Sequence, residues 1–70
     1  MEEVLAPMPG NIFEVVVSVG DEVKEDDELI ILEAMKMENP ICSPVDGVVK
    51  EIKVKEKDVV EADQLLVVIE

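Results

Sequence analysis

Short runs of Val, Ile and Leu recur along this chain at nearly regular intervals, separated by clusters of Gly, Pro, Asp and Glu. β-Branched runs bounded by such turn-formers are the signature of strands. The pattern predicts strands over Ile12 to Val17, Glu28 to Glu33, Val48 to Val54 and Leu65 to Ile69. It also predicts shorter strands at Val4-Leu5, around Val23 and Val60, and at Pro40 to Cys42. The best helical window, Val23 to Glu28, is too short and carries no apolar stripe.

The pattern occurs twice. Ala6 to Glu33 superposes on Ser43 to Glu70 without a gap, at an offset of 37 residues. Pro7 meets Pro44, Gly10 meets Gly47, Glu14 meets Glu51, Asp21 meets Asp58, Asp26 meets Asp63 and Glu33 meets Glu70. Each copy runs through a Pro-x-x-Gly turn, a strand, an acidic turn and a second strand. The repeat also decides facing. Val15, Val16 and Val17 are all apolar, but their counterparts Ile52, Lys53 and Val54 alternate, so Val15 and Val17 point inward and Val16 outward. Antiparallel strands of this length and spacing indicate an all-β small sandwich or flattened barrel with a pseudo-twofold axis. Residues 1–70 read as a single domain, with halves 6–33 and 43–70 joined by the segment 34–39.

Composition narrows the class. Phe13 is the one aromatic residue, so aliphatic side chains must supply the core, and at 70 residues that core has to be efficient. The single cysteine, Cys42, excludes an internal disulfide and reads as a small half-buried hydrophobe; Met8 reads as core or edge cover. Without histidine, the usual metal and acid–base constellations cannot be assembled. A net charge of −12 repels nucleic acid and anionic lipid. No apolar run approaches the roughly 20 residues that span a bilayer, and Met1-Glu2-Glu3 lacks the basic start of a signal peptide. The expectation is a cytoplasmic protein with neither nucleic-acid nor membrane binding. The carboxylates of Glu25 to Glu28 read as a solvated acidic turn rather than a catalytic site.

What composition leaves over is the joint between the copies, Glu33-Ala34-Met35-Lys36-Met37-Glu38-Asn39. A two-residue hairpin there needs φ > 0 at its central residues, for which Asn-Gly or Asp-Gly is normal. No glycine is present, and non-glycine residues in that region cost roughly 1 kcal/mol or more each. A solvated lysine tip is the bland reading. A lysine acting as a catalyst needs a neutral amine, reached by burial or a neighbouring cation. Lys36 is offered the carboxylates of Glu33 and Glu38 instead, and so reads as a substrate for modification by another protein.

Ala34-Met35-Lys36-Met37, followed by Glu38-Asn39, resembles the attachment motif of biotinyl domains, the carboxyl-carrier modules of biotin-dependent enzymes. Ala6-Pro7-Met8-Pro9-Gly10, Val19-Gly20-Asp21-Glu22-Val23 and Ser43-Pro44-Val45-Asp46-Gly47 are similar to that family's turns. The resemblance implies a flattened β-barrel, or barrel-sandwich hybrid, of two four-stranded antiparallel sheets, with Lys36 at an exposed hairpin tip. It implies a carrier rather than an enzyme, with biotin joined covalently to Lys36 by a biotin protein ligase. It further implies partners among biotin carboxylase, carboxyltransferase or decarboxylase subunits, between which the biotin shuttles carboxylate. Ala34, Met35, Met37 and Glu38 are the residues expected to carry recognition by the ligase. Pro7, Gly10, Pro44 and Gly47 are expected to set turns.

Two departures stand out. Lys57 occupies the place of Gly20 in the second copy, and no thumb insertion lies between the repeats. The second departure points to decarboxylase, transcarboxylase or acyl-CoA and pyruvate carboxylase modules. Without a Pro/Ala-rich linker ahead of the domain, the chain reads as a free-standing carrier or a piece of a longer one. The rival readings are a lipoyl domain, whose lysine sits in an Asp-Lys-Ala setting, and an unmodified adaptor of the same fold.

Overall fold

The computed structural model describes residues 1–70. Eight strands form where the aliphatic runs lie: β1 (Glu2–Leu5), β2 (Gly10–Val15), β3 (Glu22–Val23), β4 (Glu28–Ala34), β5 (Met37–Cys42), β6 (Gly47–Ile52), β7 (Val59–Val60) and β8 (Leu65–Ile69). They make two four-stranded sheets, ordered β1-β8-β6-β3 and β5-β4-β2-β7, with every pairing antiparallel. The two sheets face each other as a flattened sandwich about 30 Å long and 17 Å across. No helix is long and apolar enough to cross a membrane.

The 37-residue offset governs the pairing as well as the sequence. Glu2 faces Ile69 and Val4 faces Val67 in the first sheet; Asn39 faces Leu32 and Ile41 faces Ile30 in the second. Bulges fall at matched places too, between Ile12 and Glu14 in β2 and between Val49 and Glu51 in β6. A bulge adds local twist to its strand. Each half hooks the other: the Gly20 amide donates to the Val49 carbonyl at 2.8 Å, and the Lys57 amide donates to the Ile12 carbonyl at 2.8 Å. These bonds across the halves add to those each turn makes within itself, Asp21 amide to Ser18 carbonyl at 3.0 Å and Asp58 amide to Lys55 carbonyl at 3.1 Å.

Inward positions follow the two-residue period along much of the strands, and the adjacent buried pairs Leu29-Ile30 and Leu66-Val67 break it where the register shifts. The main buried cluster holds fourteen residues, all Val, Ile or Leu apart from Ala6, so aliphatic packing alone supplies the core. Met8, Val15 and Val17 pack against it from half-buried positions, while Val16 is 46 % exposed and faces outward.

The strand ends differ from the sequence pattern in a regular way. β2 and β6 begin at Gly10 and Gly47, because these residues already pair with Val60 and Val23. They stop before Val16 and Lys53, whose amides still donate to the Leu29 and Leu66 carbonyls. Gly10 and Gly47 are therefore strand residues rather than turn residues. Cys42 is exposed, not half-buried. Ile41 and Ser43 take the inward positions on either side, and the period leaves Cys42 outside.

Candidate attachment site

β4 and β5 form the longest hairpin pairing in the molecule and carry Lys36 at its tip. Glu33 faces Glu38 and Ala34 faces Met37, leaving Met35 and Lys36 as the two loop residues. Their φ angles are +54° and +65°. This is the doubly left-handed turn that fits the twist of a hairpin and that glycine and asparagine normally occupy. The register below imposes it. Ile30 and Leu32 are fully buried, and a one-residue slip would turn both to solvent, so the chain must reverse within two residues whatever they are.

The base of the hairpin is held from two sides. A Cβ on Gly10 would lie 2.5 Å from the Glu33 carbonyl oxygen and 3.3 Å from the Ala34 Cβ, so only glycine lets β2 approach this closely. The Asn39 side-chain amide donates to the Met37 carbonyl at 3.2 Å. Ala34 is buried at this base, with 8 % of its surface exposed. Sequence reasoning missed the role of Gly10. Its recurrence as Gly47 was the available signal, and there a Cβ would meet Ile69 and the Glu70 carbonyl.

At the tip the side chains point into solvent. Met35 is 90 % exposed and Met37 65 %, so neither takes part in the core. Lys36 is exposed, and its ammonium belongs to neither ion pair of the structure, which are Lys50–Glu70 at 3.8 Å and Lys53–Glu51 at 2.7 Å. The sequence-predicted residues Ala34, Met35, Lys36, Met37 and Glu38 thus occupy one hairpin end, with Ala34 as its buried foot. None of the surface hollows is lined by any residue from 34 to 38. No group of three or more Cys, Asp or Glu side chains is placed to hold a metal ion. The tip offers an amine without a cleft around it. Such an end cannot enclose a substrate, but it can enter a cleft elsewhere, and an acyl group joined to Lys36 would meet no protein wall.

The family model described as biotin-requiring enzyme matches residues 2–69. The chain belongs to this biotin- and lipoyl-attachment family. Among curated relatives of this attachment domain, a pyruvate carboxylase of Staphylococcus aureus is 49 % identical over 65 residues, 93 % of this chain and 6 % of the relative. The biotinylated protein TB7.3 homolog of Mycobacterium leprae is 43 % identical over 68 residues, 97 % of this chain and 96 % of its own length. The urea carboxylase of Kluyveromyces lactis superposes with a TM-score of 0.93 at 38 % identity, over 97 % of this chain and 6 % of that one. The attachment domain thus spans a small part of the large carboxylases it matches, and nearly all of the mycobacterial protein. Its likeness is to an attachment module rather than to a free-standing catalyst.

Proposed function

We propose that Lys36 is the point of biotin attachment and that the domain is a biotin carboxyl carrier. The observation that supports this most is the presentation of Lys36: exposed, outside any ion pair, on a glycine-free two-residue turn between two exposed methionines. The names of the relatives, two of them carboxylases and one a biotinylated protein, favour biotin over a lipoyl group.

In the loading step, a biotin protein ligase presents biotin as its adenylate. The neutral Lys36 amine attacks the acyl carbon, the C–N bond forms, the acyl–phosphate bond breaks, AMP leaves, and the amine proton passes to a base of the ligase. Amide formation removes the lysine charge. When bound, biotin supplies a ring nitrogen that takes up and gives back a carboxyl group. The rest is the work of this chain. The hairpin holds the attachment atom away from the sandwich, and tethering replaces a dilute encounter with an effective concentration on the order of mM. Met35 and Met37 offer flexible apolar grips to the ligase, with Ala34 and Glu38 completing the segment it reads. Carboxylase, carboxyltransferase or decarboxylase active sites then receive the arm. The setting we propose is cytoplasmic, because loading consumes ATP.

The test is the intact mass of the protein after co-expression with a biotin ligase and, separately, with a lipoate ligase. One biotinyl unit per chain is expected. A lipoyl unit in its place, or no modification of a folded chain, would overturn the reading.

A further inference from the structure

The two sheets are related by the pseudo-twofold axis, yet their outer faces are built differently. Beside the first sheet, Lys50 on β6 and Lys53 just past its end are exposed; they pair with Glu70 and Glu51 and line, with Val68, one shallow hollow. Val68 is left only 7 % exposed. In the second sheet, the positions of those lysines are held by Phe13 and Val16, 49 % and 46 % exposed. Their neighbours Glu14 and Glu33 form no ion pair. Ile31, the counterpart of Val68, is correspondingly less covered.

Phe13 sits in the β2 bulge and lines a surface hollow of about 410 Å³ with Asn11, Ile12, Glu33, Glu56 and Lys57. The hollow therefore presents an aromatic side chain and two carboxylates against one ammonium. A guanidinium entering it could lie against the ring and be held by the acids. Glu33 also belongs to the β4 arm, three residues from Lys36, so this face is continuous with the hairpin. The hairpin tip alone is too small for a specific protein contact, which normally takes about 800 Å² on each partner. Whatever reads Lys36 must extend onto an adjoining surface.

We propose that the outer face of the second sheet, centred on Phe13, is the docking surface for the ligase that loads Lys36, and that it accepts an arginine-bearing apolar patch of that enzyme. This rests on the carrier reading of Lys36. It adds a surface outside the 34–38 segment, apolar at its centre and acidic at its edge, that sets how tightly the carrier is held rather than whether its amine reacts.

The test compares the full chain with the double variant Phe13→Lys/Val16→Lys, using purified biotin ligase, ATP and biotin, with loading followed by intact mass. The other half already carries lysines at these two places in the same strand geometry, so the variant keeps the fold; a matching far-UV spectrum and Tm check it. Lys50→Phe serves as the control on the opposite face. The double variant is expected to lose at least tenfold in kcat/KM through a raised KM, with kcat at saturating carrier held, while Lys50→Phe stays within twofold of the parent. A double variant within twofold of the parent, an equal loss in the control, or a fall in kcat alone would overturn the docking surface and leave the carrier reading standing. A parent that takes up no biotin would overturn both. Self-association of the parent through this face, seen as a dimer in sedimentation that the double variant abolishes, would also count against the ligase as its occupant.

Discussion

The two halves of this molecule are the same fold written twice, and they differ where something other than folding is at stake. Strand registers, bulges and the reciprocal turn hydrogen bonds all repeat at the 37-residue offset. So does the left-handed backbone at Asp26 and Asp63 and at Gly20 and Lys57. The first half runs on into a hairpin with Met35 and Lys36 at its tip; the matched end of the first sheet holds the two chain ends, with Glu2 facing Ile69. Shared features identify what the sandwich requires. The differences fall into those we propose to be functional, at the hairpin and the Phe13 face, and those the fold tolerates, such as a lysine where its counterpart is glycine.

The largest effect separates these classes outright. Lys36→Arg keeps the charge and the turn but removes the acylatable amine, so loading falls to zero while Tm stays at the parent value; mass spectrometry and thermal melts read the two together. Residual biotin on that variant would place the attachment elsewhere.

The glycine pair comes next. Gly10→Ala forces a Cβ against the Glu33 carbonyl, and Gly47→Ala forces one against Ile69 and Glu70. Each should destabilise by about 1–3 kcal/mol, the usual cost of overpacking a close contact. Only Gly10→Ala displaces the foot of the hairpin, so only it should also slow loading. Equal loading rates for the two variants would show that the hairpin does not depend on its base.

A smaller effect of opposite sign is expected at Lys57, with φ +76° where its counterpart Gly20 has +96°. Relief of roughly 1–2 kcal/mol of left-handed strain, offset by about 0.4–1 kcal/mol of added chain entropy, leaves Lys57→Gly stabilised by about 1 kcal/mol. That corresponds to a rise in Tm of about 4–8 °C for a domain of this size. Met35→Gly should gain similarly in stability but lose loading rate, since we propose that the methionine serves recognition. A gain in both would remove the functional claim for that side chain.

The smallest effect belongs to the ion-paired face. Hydrogen bonding from Lys53, reinforced by its charge, holds the Glu51 carboxyl below the ordinary range against an opposing desolvation, with a lesser contribution from the Lys50 charge. A carboxyl lowered in the folded state stabilises the fold above its unfolded pKa, and that contribution is lost as pH falls through the folded value. Glu51→Gln should therefore melt slightly lower than the parent at neutral pH and converge with it below the carboxylate range. A difference that widens on acidification would contradict the assignment.

Much of this was legible in the residues. The repeat specified which positions face inward where single runs did not, as at Val16, and the absence of glycine around Lys36 marked the turn in which two successive non-glycine residues, Met35 and Lys36, take the left-handed conformation. Gly10 was visible but misread as a turn former, because the carbonyl it makes room for comes from a strand more than twenty residues away. Phe13 was visible as the lone aromatic, but its outward position follows from the β2 bulge, which is set by pairing with β4 and has no local signature. Cys42 was misplaced by its apolar neighbour Ile41, when strand alternation puts the two on opposite faces.

The most direct measurement is a site-resolved peptide map of the full chain after loading by a biotin ligase, with all six lysines covered. One biotin is expected, on Lys36 alone, because only that amine stands at the tip of the β4–β5 hairpin outside the packed sandwich. Biotin distributed over Lys50, Lys53, Lys55 or Lys57, or none on a folded chain, would contradict it.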